Sequence, residues 1–191
     1  MQTHKNERET LIPMKIIPVD DNNLPVYLNL AQSYEGEFSA ITLKKPDPTG
    51  RFALDTAIGG DVLGYLLLCD CLPIGLAAIR ADRQAASFEV CEFYVVPSCR
   101  GGGLGRNFAI TLFERHRGAW VIKQLPQAVG ASGFWRRTLQ VFTGGDFSED
   151  RLEDPYWGPV VRQQFRSAPP TASQPTPSHP AASSPSSASA A

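Results

Sequence analysis

What this chain has little of sets the first limits. Histidine occurs three times, cysteine four times and methionine twice in 191 residues. The cysteines, Cys69, Cys71, Cys91 and Cys99, form no Cys-x-x-Cys pair, and no histidine stands near Cys69 and Cys71 in sequence. A metal site is therefore not expected, and the four read as reduced thiols serving as small apolar residues. No run reaches the roughly 20 apolar residues that a membrane helix needs, and the polar opening residues lack the apolar stretch of a signal peptide. A cytoplasmic protein with no membrane partner is expected. Eighteen Lys and Arg against nineteen Asp and Glu leave a formal charge of −1. Such a balance gives no field for a polyanion, so nucleic acid is not an expected partner. No internal repeat is visible, which removes solenoids and propellers.

What is present is an ordinary globular composition, 42% hydrophobic and 19% charged, arranged as one domain with two extensions. Residues 1–13 are polar and read as a flexible N-terminal extension. Residues 167–191 are almost only Ser, Ala, Pro and Thr, too poor in apolar side chains to offset chain entropy, and read as a disordered tail. Between them, residues 14–166 carry the folding pattern. A short strand at 14–19 is followed by a helix that Asn22 or Asn23 can cap, with Pro25 in its first turn and Val26, Tyr27, Leu30 and Tyr34 at helical spacing. Residues 36–60, broken by a Lys-Lys-Pro-Asp-Pro-Thr-Gly cluster, stay unassigned between helix and loop; such stretches often shape substrate pockets. Apolar runs at 62–68 and 74–80 flank Asp70-Cys71-Leu72-Pro73 and pair as a hairpin, with a third long strand at 88–96. Leu104, Phe108, Ala109, Leu112 and Phe113 stripe a helix that Gly118 stops. A strand at 119–125, a helix at 128–141 and a last strand near 160–165 complete the order, with room for one more strand. This is an α/β (α+β) pattern: a mixed, mostly antiparallel central sheet of six to seven strands flanked by helices, with a parallel crossover through the helix at 104–116.

The chemistry concentrates at that crossover. Pro97 ends a strand, four glycines follow within nine residues, and a helix begins at once, so backbone N–H groups point outward at a helix N-terminus. Glycine keeps Cβ atoms away from those amides, and Arg100 and Arg106 add charge on either side. The ligand expected is a diphosphate. No Gly-Lys-Ser/Thr ends the loop as a P-loop requires, and Arg106 stands where a dinucleotide fingerprint needs its last glycine.

Arg100-x-x-Gly103-x-Gly105 does match a third pattern: it resembles motif A of the GNAT acetyltransferases. Glu92-Phe-Tyr-Val-Val96 ahead of it looks like that family's fourth strand, and Ala131-x-x-Phe134-Trp135 is similar to an element of its late helix. The resemblance spans roughly residues 14–166. It implies the GNAT-like acyl-CoA N-acyltransferase fold, with acetyl-CoA as co-substrate and no metal. Its diphosphate would lie on Arg100, Gly101, Gly102, Gly103, Leu104, Gly105 and Arg106, and its pantetheine arm would pair with the backbone of Tyr94, Val95 and Val96 as an added strand. Ala128 stands where the family usually has an asparagine.

The activity implied is transfer of an acetyl group to a primary amine, on a small molecule or a peptide, by direct attack in a ternary complex. A carboxylate on the fourth strand is the economical general base, and Glu92 is the candidate. Strict alternation puts Glu92 on the face of Phe88, Val90, Tyr94 and Val96. Phe134 and Trp135 occupy the positions where the family often has a tyrosine acid, leaving Tyr156 or water for that role. Cys99 beside the loop has no histidine partner for a covalent route, since His116 lies about four turns along the helix. Glu35, Glu37, Asp146 and Asp154 would suit a cationic acceptor. The alternative class is a non-catalytic acyl-CoA-binding protein of the same fold. The C-terminal strand offers an edge for a homodimer.

Overall fold

A computed structural model describes residues 14–167. The extension expected for residues 1–13 and the tail expected beyond Ser167 lie outside the described residues. The elements run β1 (Met14–Pro18), α1 (Leu24–Thr42), β2 (Val62–Cys69), β3 (Leu72–Asp82), β4 (Ser87–Val95), a 3-10 turn (Pro97–Cys99), α2 (Leu104–Arg115), β5 (Gly118–Gln124), α3 (Val129–Thr143), β6 (Ser148–Asp154) and β7 (Gly158–Ser167). They form one seven-stranded sheet in the order β1-β2-β3-β4-β5-β7-β6. Only β4 and β5 pair in parallel, joined through α2; the other neighbours are antiparallel. The mixed, mostly antiparallel sheet with one parallel crossover is the expected architecture. Among the described residues no helix is long and apolar enough to cross a membrane.

Two apolar layers hold the sheet. On one face α2 and α3 bury Phe108, Leu112, Phe113, Trp135 and Leu139 against Trp120 and Ile122 of β5. On the other, α1 seats Tyr27 and Ala31 on Leu66, Leu76 and Tyr94. Fully burying a side chain of this size is worth about 1.5–3 kcal/mol, so these two layers fix where each helix lies. The start of α1 is organised by Asp20, whose carboxylate accepts the N–H groups of Asn22 (2.9 Å) and Asn23 (3.1 Å). Asn23 occupies the N-cap position, yet its amide turns back to donate to the Pro18 carbonyl at 3.1 Å.

Several local expectations are corrected. The β2–β3 hairpin turns on Asp70 and Cys71 alone, at φ 49° and 63°, the two left-handed residues that suit strand twist; Pro73 already belongs to β3. Residues 36–42, left unassigned above, continue α1. The additional strand is β6, an edge of almost wholly charged residues. Ser167, assigned above to the tail, ends β7: it is buried and donates its hydroxyl to the Phe113 carbonyl at 2.5 Å. Gly118 does not cap α2, which ends at Arg115, but opens β5.

Gly118 is held there by crowding. At φ 155° a Cβ built on it would sit 2.0 Å from the Ala86 carbonyl oxygen, the same oxygen that accepts the Ala119 N–H at 3.0 Å. Gly118→Ala should therefore cost about 2–4 kcal/mol of stability, read as a lower urea midpoint with an unchanged slope.

Candidate active site

The glycine loop follows β4 directly. Val96 and Pro97 begin a tight turn in which Cys99 N–H donates to Val96 (2.9 Å) and Arg100 N–H to Pro97 (3.2 Å). Gly101 and Gly103 then take φ of 90° and 83°. A Cβ at Gly101 or Gly102 would meet nothing within 4 Å, so the outer surface of the loop is open and the demand for glycine at 101 and 103 is conformational. Gly103 caps α2 without a side-chain bond, and the first turn of α2 holds no acidic residue. The leading N–H groups of that helix are thus free to receive an anion. Gly105 packs closely, its Cβ position lying 3.5 Å from the Phe134 ring and 3.6 Å from Val95.

The strands beside the loop part from each other. β4 and β5 pair only from Ser87 with Ala119 to Val90 with Ile122. Beyond Val90, β4 carries a bulge: Val90 faces Ile79 of β3, Glu92 faces Ala78, and Cys91 is the extra residue. The bulge reverses the alternation. Phe88 and Val90 join Phe93 and Val95 in the layer under α2 and α3, whereas Glu92 and Tyr94 turn toward α1. The face assigned to Glu92 by strict alternation, shared with Phe88 and Val90, is corrected accordingly.

Backbone groups along the parted edge follow the ladder. Val96 donates its N–H to Ile74 of β3 at 2.8 Å, so Tyr94 also points its polar groups at β3 while those of Val95 and Phe93 face the gap. Of the three residues expected to offer backbone to a ligand strand, Val95 turns its N–H to the gap while its carbonyl accepts Arg100 Nε, Tyr94 pairs with β3, and the N–H of Val96 is spent on Ile74.

Arg100 reaches into this gap rather than outward. Its Nε donates to the Val95 carbonyl at 2.7 Å, its two terminal nitrogens grip Glu37 of α1 at 2.7 and 2.9 Å, and its guanidinium lies 5.4 Å from the Tyr94 ring centre. Arg106 stays exposed, its guanidinium folded near Gly103. A cavity of about 1020 Å³ connects the glycine loop, the gap and the α1 side of the sheet.

Glu92 lies in that cavity and is 3% exposed. Its Oε2 accepts the Tyr27 hydroxyl at 2.8 Å; its Oε1 has no donor within hydrogen-bond distance among the described residues, the Thr56 hydroxyl standing beside the carboxyl. Burial pushes the Glu92 carboxyl up from its ordinary range; the Tyr27 and Thr56 hydroxyls oppose this, and the charges of Glu35 and Asp55 add to it. Burial and Glu92 raise the phenols of Tyr27 and Tyr34 as well, keeping both as hydrogen-bond donors. Behind them Lys44 links buried Glu35 to Asp55, with 2.7 Å to each, and Tyr156 donates to Asp55 at 3.3 Å.

The remaining sequence candidates separate. Asp154 lines the cavity, held to about 2 by its bonds to Lys123 and to the Trp157 and Tyr156 amides; Glu35 and Glu37 are engaged as described, and Asp146 is exposed in the turn after α3. His116 bonds the Tyr65 hydroxyl at 2.7 Å, its own pKa lowered by burial, and Cys99 packs against the core beneath α2. Among the described residues no three His, Cys, Asp or Glu side chains are placed to hold a metal ion. Sequence reasoning missed the roles of Tyr27, Thr56 and Glu37. Tyr27 alone left a signal, a phenol within the apolar stripe of a helix.

This architecture is the GNAT acyl-CoA N-acyltransferase fold. The chain is similar to ribosomal-protein-alanine N-acetyltransferase from Brucella melitensis, at 17% identity and TM-score 0.53, over 80% of this chain and 99% of that one. It is similar also to the spermidine/spermine N-acetyltransferase SpeG from Vibrio cholerae, at 10% identity and TM-score 0.55, over 81% and 95% of the two chains. A Bacillus subtilis acetyltransferase in complex with CoA aligns at 11% identity and TM-score 0.51, over 81% and 99%. No protein-family model and no curated protein matches the chain.

Buried Glu92 has a measurable linkage. Its folded pKa lies above the ordinary value of 4.5, so the folded chain holds a proton that the unfolded chain has lost in the window between them. Stability contributed by this group therefore falls as pH rises through that window, and the full cost persists above it. Glu92→Gln should gain stability relative to wild type on going from about pH 4 to about pH 8, seen as a growing difference in melting temperature.

Proposed function

We propose that this protein is an acetyl-CoA-dependent N-acetyltransferase that acetylates a primary amine by direct attack in a ternary complex. The observation that carries this is a single cavity holding three things: a β4 edge that β5 leaves beyond Val90, an anion cradle at its end, and a buried carboxylate. The residues present fit the co-substrate. A diphosphate suits the positive-φ glycine loop and the uncompensated N-terminus of α2, spanning Gly101, Gly102, Gly103, Leu104 and Gly105, with Arg106 beside it. Arg100 serves the same end once Glu37 gives way to phosphate. An amide-containing arm suits the gap, where the backbone of Val95 and Phe93 can add it as a strand.

Acetyl-CoA supplies the acetyl group as a thioester, from which CoA leaves as the thiol. Glu92 takes the proton of the acceptor ammonium at Oε1, directly or through a water, so that the nitrogen is free to bond to the acetyl carbon as the carbon–sulfur bond breaks. Burial suits Glu92 to this task, because a carboxylate with a raised pKa is a stronger base. Tyr27 fixes its other oxygen. On α3, Phe134 and Trp135 offer no acidic proton toward the gap, so the departing sulfur takes its proton from Tyr156 or solvent. The free oxygen of Glu92 favours turnover over the alternative of a CoA-binding protein without catalysis.

Calorimetric titration with acetyl-CoA, CoA, ATP and NAD, followed by a free-thiol assay with amines, tests the assignment. Acetyl-CoA should bind selectively and release thiol; absence of CoA binding would overturn it. Gly103→Val, which forces a β-branched residue to φ 83°, should lose at least about tenfold in acetyl-CoA affinity with the domain still folded. Glu92→Gln should lower kcat by about 10²-fold or more and leave that affinity unchanged. In Tyr27→Phe, loss of the hydroxyl that favours the ionised carboxyl should move the acid limb of kcat/KM to higher pH.

A further inference from the structure

The acceptor end of the cavity has a chemistry of its own. α1 and the turn between β6 and β7 face each other there through aromatic rings. Tyr34 stacks on Phe38 at 5.4 Å, Phe38 meets Trp157 edge-on at 6.1 Å, and Trp157 meets Tyr156 at 4.8 Å. Tyr34 also packs 6.0 Å from Tyr94, and the charges of Glu92 and Asp55 act on its phenol, so these rings border the proposed base.

Charge at this end is lopsided once ion pairs are assigned. Arg80 is spent on Glu89 and Asp61, Lys123 on Glu89 and Asp154, and Arg100 on Glu37. These three lining cations are thus already paired; among the described residues the two lining cations without an ion pair, Arg106 and Arg137, belong to the glycine-loop end of α2 and to α3. On the anionic side, Glu92 keeps one buried oxygen with no partner, and Asp55 sits close enough to add to its field. Beside the rings an incoming ammonium finds a carboxylate and ring faces, whereas the cations on β3, on the loop after β4 and on β5 are already engaged by carboxylates of the chain. The Tyr156 hydroxyl bonds Asp55 at 3.3 Å, linking the β6–β7 turn to the segment after α1 at the rim of this end.

We propose, resting on the acetyltransferase function above, that the acceptor is a small primary amine bearing an aromatic group and no carboxylate, held by the Tyr34–Phe38–Trp157 rings with its nitrogen at Glu92. The rings select the apolar body, and the paired cations beside them leave the carboxylate of an amino acid or a short peptide without a partner.

Binding to the CoA-saturated protein tests this apart from turnover. The probes are 2-phenylethylamine, L-phenylalanine, which has the same skeleton plus a carboxylate, the peptide Phe-Gly-Gly, and spermidine. 2-Phenylethylamine should bind at least about tenfold more tightly than each of the other three, since each meets an unpaired charge or lacks the ring. Phe38→Ala should remove about tenfold of its affinity without changing that for CoA. Equal or tighter binding of phenylalanine, the peptide or spermidine would overturn the proposal while leaving the acetyltransferase assignment intact. Failure to bind CoA at all would instead strike that assignment.

Discussion

The structure turns on where β4 stops being paired. Up to Val90 the strand is flanked on both sides; beyond it, β5 diverges and only β3 remains. Beyond Val90 that edge lines the cavity, and Arg100, with its Nε on the Val95 carbonyl at 2.7 Å, completes part of it. The extra residue at Cys91 acts at the same place. Without it Glu92 would fall among the phenyl rings under α2, where a carboxylate has no donor to meet. With it, Glu92 lies against Tyr27, and the gap, the glycine loop and this carboxylate share one cavity.

Holding a carboxylate there requires support from a distant part of the chain. Tyr27 belongs to α1, as do Tyr34, Glu35, Glu37 and Phe38, so one helix positions Glu92, contributes the aromatic wall and restrains Arg100. That helix is seated by Leu66 and Leu76 on the sheet and by Lys44, which joins Glu35 to Asp55 across the connecting segment. Breaking such a buried bridge by removing one partner commonly costs more than the bridge contributes. The opposite face of the sheet, built around Trp120 and Phe113, holds neutral hydrogen bonds, Ser167 to the Phe113 carbonyl and Tyr65 with His116, and supplies the bulk of the apolar burial.

Much of this could be read from the residues, for identifiable reasons. α2, β4 and the glycine loop were legible because a 3.6-residue stripe, an apolar strand and a cluster of glycines fall in succession. The two-residue hairpin was legible as a turn, though not in its detail, since Pro73 drew attention from the left-handed pair before it. β6 was hidden because an edge strand buries little and its Ser-Glu-Asp-Arg-Leu-Glu-Asp run shows no apolar alternation. The bulge left no mark, because Cys91 resembles any other strand residue and register is decided by the partner. Contacts such as Arg100 with Glu37 span 63 positions and become visible only when the chain is folded.

The crowding at Gly118 bears on the mechanics of the gap. Where β4 and β5 begin together, the Ala86 carbonyl and the Gly118 Cα approach too closely for any side chain, which makes the closed end a stiff joint. Strands advance about 3.3 Å per residue, so the five steps from Val90 to Val95 form an arm of about 17 Å. A rotation of about three degrees at the base of such an arm displaces its tip by about 1 Å, the scale on which strand pairing is won or lost. The width of the gap between β4 and β5 is thus sensitive to the packing of two backbones at the far end of the wedge.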